Sequence, residues 1–203
     1  PAAPAAAAPA APSQPSTPAA TPAPPSGLQP SKIGPVELRP MRVILRSSIP
    51  PGYTQVCIEP LIRLRATNVS SSDLRLALVT EGLSATDDLG TTVLRSQANQ
   101  NVFASVIGVT RIKNLAEWTS ASASGASQVT LLAPGQSVSV GLTPSPWRGQ
   151  SSHCQEDKTG DFRRSYRPQT VTLTATLGMI DISGNAELRT FSLFDIPADL
   201  VRN

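Results

Sequence analysis

Aromatic side chains are scarce in this chain: two tryptophans, two tyrosines and four phenylalanines in 203 residues. A sugar-binding platform, which ordinarily needs several exposed rings, is disfavoured by that count. Histidine is scarcer still. The one copy, His153, lies between Ser152 and Cys154, and immediate neighbours in sequence do not form a nucleophile–base–orienter set. The GxSxG elbow, HExxH, the phosphate-cradling glycine loop and the dinucleotide fingerprint are missing as well. A hydrolase would have to work with carboxylates alone. No catalytic residue, metal ligand or cofactor is therefore assigned. No apolar run approaches the ~20 residues that cross a bilayer, so any membrane tether is expected outside this chain. Seventeen Lys and Arg against fourteen Asp and Glu is too small an excess to imply a nucleic-acid partner.

Cysteine is limited to Cys57 and Cys154, whose spacing fits neither a zinc nor a CxxC redox motif. An extracytoplasmic disulfide between them is the expectation, and two unrelated thiols the alternative. Carboxylates cluster at Asp87-Asp88 and at Glu156-Asp157 with Asp161. Neither set follows the DxDxDG spacing of a calcium loop; turn chemistry is the expectation for both and a calcium site the second reading.

The chain divides by composition. Residues 1–31 are almost entirely Ala, Pro, Ser and Thr, and the first charge is Lys32. Such a segment has too little apolar mass to offset chain entropy and favours extended polyproline II. It is expected to be a disordered spacer of the kind left after a signal peptide is removed, with a proline-motif ligand as the second reading. Residues 32–203 suit a single domain.

Within that domain the organising stretch is 56–79, VCIEPLIRLRATNVSSSDLRLALV. Ile62, Leu64 and Ala66 alternate with Arg63 and Arg65, and Leu74, Leu76 and Leu78 alternate with Arg75 and Ala77. Period two sends aliphatics to one face of a strand and arginines to the other. Asn68 to Asp73 reads as a tight turn between two strands. Arg63, Arg65 and Arg75 are expected on the solvent side, as outer-face charges or, second, as a binding stripe. Asn68-Val69-Ser70 matches a glycosylation acceptor, which would require exposure; the bacterial look of the leader argues against a glycan.

Further strand signals follow. Met41, Val43 and Leu45 share a face. Asp87-Asp88-Leu89-Gly90 turns into Thr91–Arg95. Ile112, Leu115 and Trp118 are spaced for one or two helical turns over 111–118, before a Ser/Ala-rich surface loop at 119–127. Residues 128–142 read as a hairpin around Pro134-Gly135. Val171, Leu173, Ala175 and Leu177 alternate with threonine. A last strand from Glu187 is ended by Pro197, leaving a short tail. About seven to nine strands at short intervals predict an all-β antiparallel sandwich.

The order of these signals resembles the Ig-like modules of bacterial surface and periplasmic proteins, carried by LRATNVSSSDL (64–74) and LLAPGQSVSV (131–140) and covering about the middle half of the chain. The resemblance implies an Ig-like sandwich outside the cytoplasm, and no ligand or catalytic residue. The expected role is a non-catalytic interaction or structural module of a cell-envelope or surface assembly, with protein partners. A carbohydrate-binding module or, less so, a hydrolase are the alternatives.

The aperiodic stretch 143–168 is the expected partner-binding segment, and a surface loop whose rings pack back on the sandwich is the other reading. Loops of that length in compact domains tend to be functional or disordered. It holds Trp147, Arg148, Phe162, Arg163, Arg164, Tyr166 and Arg167, residue types enriched at interface hot spots. A bridge through Cys154 would pin it at its middle.

Overall fold

The computed structural model describes residues 30–49, 51–96, 104–124, 129–144 and 153–202; the leader up to residue 29 lies outside them. In chain order the elements are β1 (Ser31–Ile33), β2 (Val36–Ser48), β3 (Gln55–Asn68), β4 (Leu74–Asp87), β5 (Thr92–Arg95), β6 (Ala104–Ile107), β7 (Thr110–Ile112), α1 (Leu115–Ala123), β8 (Thr130–Leu132), β9 (Ser137–Pro144), β10 (His153–Glu156), α2 (Asp161–Ser165), β11 (Thr170–Ile180) and β12 (Ala186–Arg202).

Eight of these strands form one continuous ladder, β5-β4-β11-β12-β2-β3-β9-β6, with β1, β7, β8 and β10 as short additions at its margins. The ladder folds over at β12. That strand pairs antiparallel with β11 through residues 186–197, then parallel with β2 through residues 198–202. Two layers result: β2-β3-β9-β6 and β12-β11-β4-β5. This is the four-plus-four division of an Ig-like sandwich, with the last strand also touching the first full one. Between the layers lie Leu38, Leu45, Ile58, Ile62, Leu64, Leu76, Leu78, Leu83, Leu94, Leu142 and Leu173, each fully buried. They are the inward members of alternating runs, so the period-two reading of 62–66 holds residue by residue.

The organising stretch is not a hairpin. β3 bonds to β2, β9 and β10, whereas β4 bonds to β11, β5, β7 and β8. The turn at 69–73 therefore carries the chain from one layer to the other. The Pro134-Gly135 turn does the same, since β8 pairs with β4 and β9 with β3. Asn68 ties the two arches together. Its backbone N–H donates to Gln136 O (3.0 Å), and its C=O accepts from Gly135 N (2.8 Å). Its side-chain amide donates to the carbonyls of Ser72 and Leu132, both at 2.9 Å, and its Oδ1 accepts from Ser70 N and Ser70 Oγ. Asn68 is fully buried, so the exposure expected of a glycan acceptor is overturned.

Four further readings change. Met41 is 46% exposed because the β2–β3 register slips between Pro40 and Arg42, placing Met41 in a bulge off the Val43/Leu45 face. The helix is α1, from Leu115 to Ala123, with Thr110–Ile112 a strand before it. Asn114 Oδ1 caps it by accepting from Glu117 N (2.9 Å), and Ser and Thr hydroxyls at 119, 120 and 122 bond back to carbonyls four residues earlier. The supposed surface loop thus begins as helix. Ala77, expected on the polar side of its strand, is buried with Val79, Ile112, Trp118, Ala121 and Ile180 in a second small core beneath α1. Pro197 does not end the last strand. It sits where β12 leaves one layer for the other, a position at which a missing N–H is tolerated.

Candidate functional site

Cys57 and Cys154 are joined by a disulfide across directly opposed positions of β3 and β10, with Cα atoms 4.1 Å apart. Closing a loop with a separation of 97 residues contributes on the order of 4–5 kcal/mol in the chain-entropy account. The bond fixes one end of the described part of the expected partner-binding segment.

The other end is fixed by its rings. Phe162 is half-buried and stacks on Tyr166 with centroids 5.2 Å apart. Tyr166 is buried, and its hydroxyl donates to Asp87 Oδ2 at 2.6 Å. Burial, then the Asp87 carboxylate accepting that proton, holds the hydroxyl far above the usual tyrosine range. Asp87 Oδ1 accepts from Leu89 N and Thr91 N, and Asp88 Oδ1 accepts from Gln169 N and Thr170 N. Asp157 caps α2 by accepting from Phe162 N and Arg163 N. Asp87, Asp88 and Asp157 are thus engaged with backbone donors, while Glu156 and Asp161 bond to side chains. Among the described residues no group of three or more metal-ligating side chains forms.

Of the seven residues picked for partner binding, Tyr166 is enclosed by the fold and Phe162 is packed against the core. Arg163 is half-buried, while Arg164 and Arg167 are exposed. Arg164 bonds to Asp161 (2.6 Å) and Thr159 O (2.9 Å), and Arg167 bonds to the carbonyls of Arg163 and Tyr166. Thr159 and then Arg164 hold the Asp161 carboxyl below its usual range. Trp147 and Arg148 lie outside the described residues. Residues 153–168 are an anchored latch, with the two described rings, Phe162 and Tyr166, turned inward.

A different surface gathers charge with fewer such partners. On the outer side of the β2–β3–β9 layer, the register sets Arg39 opposite Arg65 and Arg42 opposite Arg63. Next along the strands, Ile44 faces Leu61, and then Arg46 faces Glu59. Like charges directly opposite one another on a sheet are destabilising, and here two such pairs are adjacent. Glu37 reaches Arg39 at 3.7 Å and Asp199 reaches Arg42 at 3.9 Å, exposed pairs of the kind that contribute ~0–1 kcal/mol. The guanidinium groups of Arg46, Arg63 and Arg65 enter no ion pair or side-chain hydrogen bond among the described residues. Arg42, Arg46 and Arg63 surround a groove of about 230 Å³ floored by Ile44 and Leu61. Toward β9 the arginine rows meet the small residues Ser139 and Gly141, and Gly141 in turn faces the exposed Ile107 of β6.

The sequence singled out Arg63 and Arg65 but missed Arg39, Arg42 and Arg46. Their alternation with Leu38, Val43 and Leu45 was the available signal. Arg75, grouped with them by sequence, is half-buried in the other layer.

No protein-family model matches this sequence, and no curated protein does. Among solved structures the chain is similar to an ASH/PapD-like domain of human CEP192, at 12% identity over 86% of this chain and 93% of that one, with a TM-score of 0.34. It is similar to the periplasmic chaperone SfaE at 12% identity over 83% of this chain and 56% of that one, TM-score 0.29. It is also similar to the CooA pilin subunit of enterotoxigenic Escherichia coli, at 8% identity over 82% and 98%, TM-score 0.27. Scores this low carry neither partner nor activity to this chain, whose Ig-like description rests on its own strand order.

Proposed function

We propose that this domain is a non-catalytic interaction module of a bacterial cell-envelope or surface assembly, working outside the cytoplasm, and that it docks a partner on the outer face of the β2–β3–β9 layer. The arginine rows carry this reading. Arg39, Arg65, Arg42 and Arg63 stand in like-charged register, an arrangement that costs the isolated fold and is relieved by an anionic partner. The disulfide supports the compartment, because such bonds persist in oxidising surroundings. The exposed rings among the described residues are Tyr53 in the β2–β3 connection and Phe194 on β12, which do not make up the run of rings a sugar platform needs.

The test is cross-linked capture from envelope extract. Wild-type protein is expected to retain a partner that the double variant Arg42→Glu with Arg63→Glu loses, at unchanged melting temperature. Capture that is indifferent to the double variant overturns the docking face.

A further inference from the structure

The arginine face has a repeat as well as a sign, and the repeat specifies what would fit. Leu61, Arg63 and Arg65 follow one another at two-residue intervals on the outer side of β3, about 6.6–6.8 Å per step. Each row holds two outward side chains, one from β2 and one from β3, whose Cα atoms are roughly 4.5–5.5 Å apart across the ladder, with the bulged, exposed Met41 between the first two rows on β2. The rows read Arg39/Arg65, Arg42/Arg63 and Ile44/Leu61. Two guanidiniums per row bracket a single carboxylate, which accepts in-plane donors from both sides. The third row offers the nearly buried Ile44 and the half-buried Leu61, a patch for one aliphatic side chain. Beyond it Glu59 faces Arg46, so a further acid gains little there. Asp199, level with Ile44 on β12, bounds the face with negative charge on that side.

An extended peptide repeats its side chains on one face every two residues, with the same step as the rows. We infer that the face takes an extended acidic segment of a partner protein with the pattern acid–x–acid–x–aliphatic, laid along β2 in the β2 direction. Its two carboxylates sit between the arginine pairs and its aliphatic side chain rests on Ile44 and Leu61. This rests on the docking reading above and adds the occupant and its register. A polyanionic glycan or an anionic lipid surface satisfies the arginines but has no matched aliphatic group for the third row.

The probe is a fluorescent peptide with the core Glu-Thr-Glu-Thr-Leu in a Gly/Ser frame, titrated against the full chain and read by anisotropy. Its control is the same composition permuted to Leu-Glu-Glu-Thr-Thr. The patterned peptide is expected to bind about tenfold more tightly than the permuted one, and Arg63→Gln with Arg65→Gln to abolish the difference. Leu61→Asn, which leaves every arginine in place, is expected to remove the advantage of the patterned peptide alone. Equal binding of both peptides reduces the face to a charge patch and overturns the inference. So does tighter, arginine-dependent binding of heparin or of phosphatidylglycerol vesicles than of the patterned peptide. Absence of peptide binding, with envelope capture still dependent on Arg42 and Arg63, overturns the occupant and leaves the docking face standing. Capture independent of those arginines removes the docking face itself.

Discussion

The two outer faces of this sandwich began with the same sequence logic and ended differently. Both layers are built from alternating strands whose polar positions point away from the core. On the β12–β11–β4 layer much of that outward side is used. α1 lays Trp118 against Gly178, so close that a Cβ there would stand 2.6 Å from the indole, and closes a second small core. The neighbouring hydroxyls pair with each other, Thr174 with Ser192 at 2.9 Å and Thr176 with Thr190 at 2.8 Å. On the β2–β3–β9 layer nothing described covers the strands, and two adjacent rows of polar positions are arginines set opposite arginines. One face is finished by the chain's own side chains. The other holds arginines that the fold pairs only in part, and that difference is what the proposed docking face rests on.

The contrast breaks most plainly at Trp118. Trp118→Ala is expected to destabilise by about 3–5 kcal/mol, because a buried ring leaves a cavity under α1, and to leave anionic-peptide binding by the folded fraction unchanged; urea unfolding with parallel anisotropy reads both. Gly178→Ala presses a methyl against the same ring and is expected to cost about 1–3 kcal/mol, again by urea midpoint.

A control that touches neither outer face is Tyr166→Phe, expected to cost about 1–3 kcal/mol by leaving Asp87 one donor short. It also has a pH signature. The folded-state pKa of Tyr166 lies above the unfolded value, so its contribution is complete below about pH 10, the unfolded value, and declines as pH rises past it. Stability measured from pH 8 to pH 11 is expected to fall less steeply in the variant than in the wild type.

The smallest effect carries the opposite sign. Arg65→Gln or Arg42→Gln is expected to raise stability by roughly 0.2–1 kcal/mol at low salt, with the gain fading at high salt, because each relieves a like-charged pair. Loss of stability in either would mean that the arginines serve the fold, and the two faces would no longer differ in kind.

Much of the fold was legible because burial follows period two. Ile62, Leu64 and Ala66 are inside, and Arg63 and Arg65 outside, as alternation requires. Sheet membership was not legible. A turn of Asn, Ser and Asp, or of Pro and Gly, serves a hairpin and an arch alike, and the amide of Asn68 that decides between them bonds to residues 64 and 68 positions away. The bulge at Met41 changed the phase of β2 with no mark in composition. In the latch, the ring types of Phe162 and Tyr166 suit a docking surface and a packed anchor alike, and the deciding partner, Asp87, is 79 residues distant. The arginine rows were half visible: each strand showed its own arginines, but only the register set Arg42 against Arg63.

The path of β12 has a consequence in time. Its residues 198–202 are the only described link between the layers through strand pairing, and they pair with β2, among the earliest residues of the domain to leave a ribosome or a translocation pore. Either layer has partners to assemble from before then, but the seam joins the two ends of the domain and closes only after everything between them has emerged. Contacts of such sequence separation form slowly. A chain that emerges N-terminus first therefore holds its two layers open until its last strand has arrived, and closes them with residues 198–202.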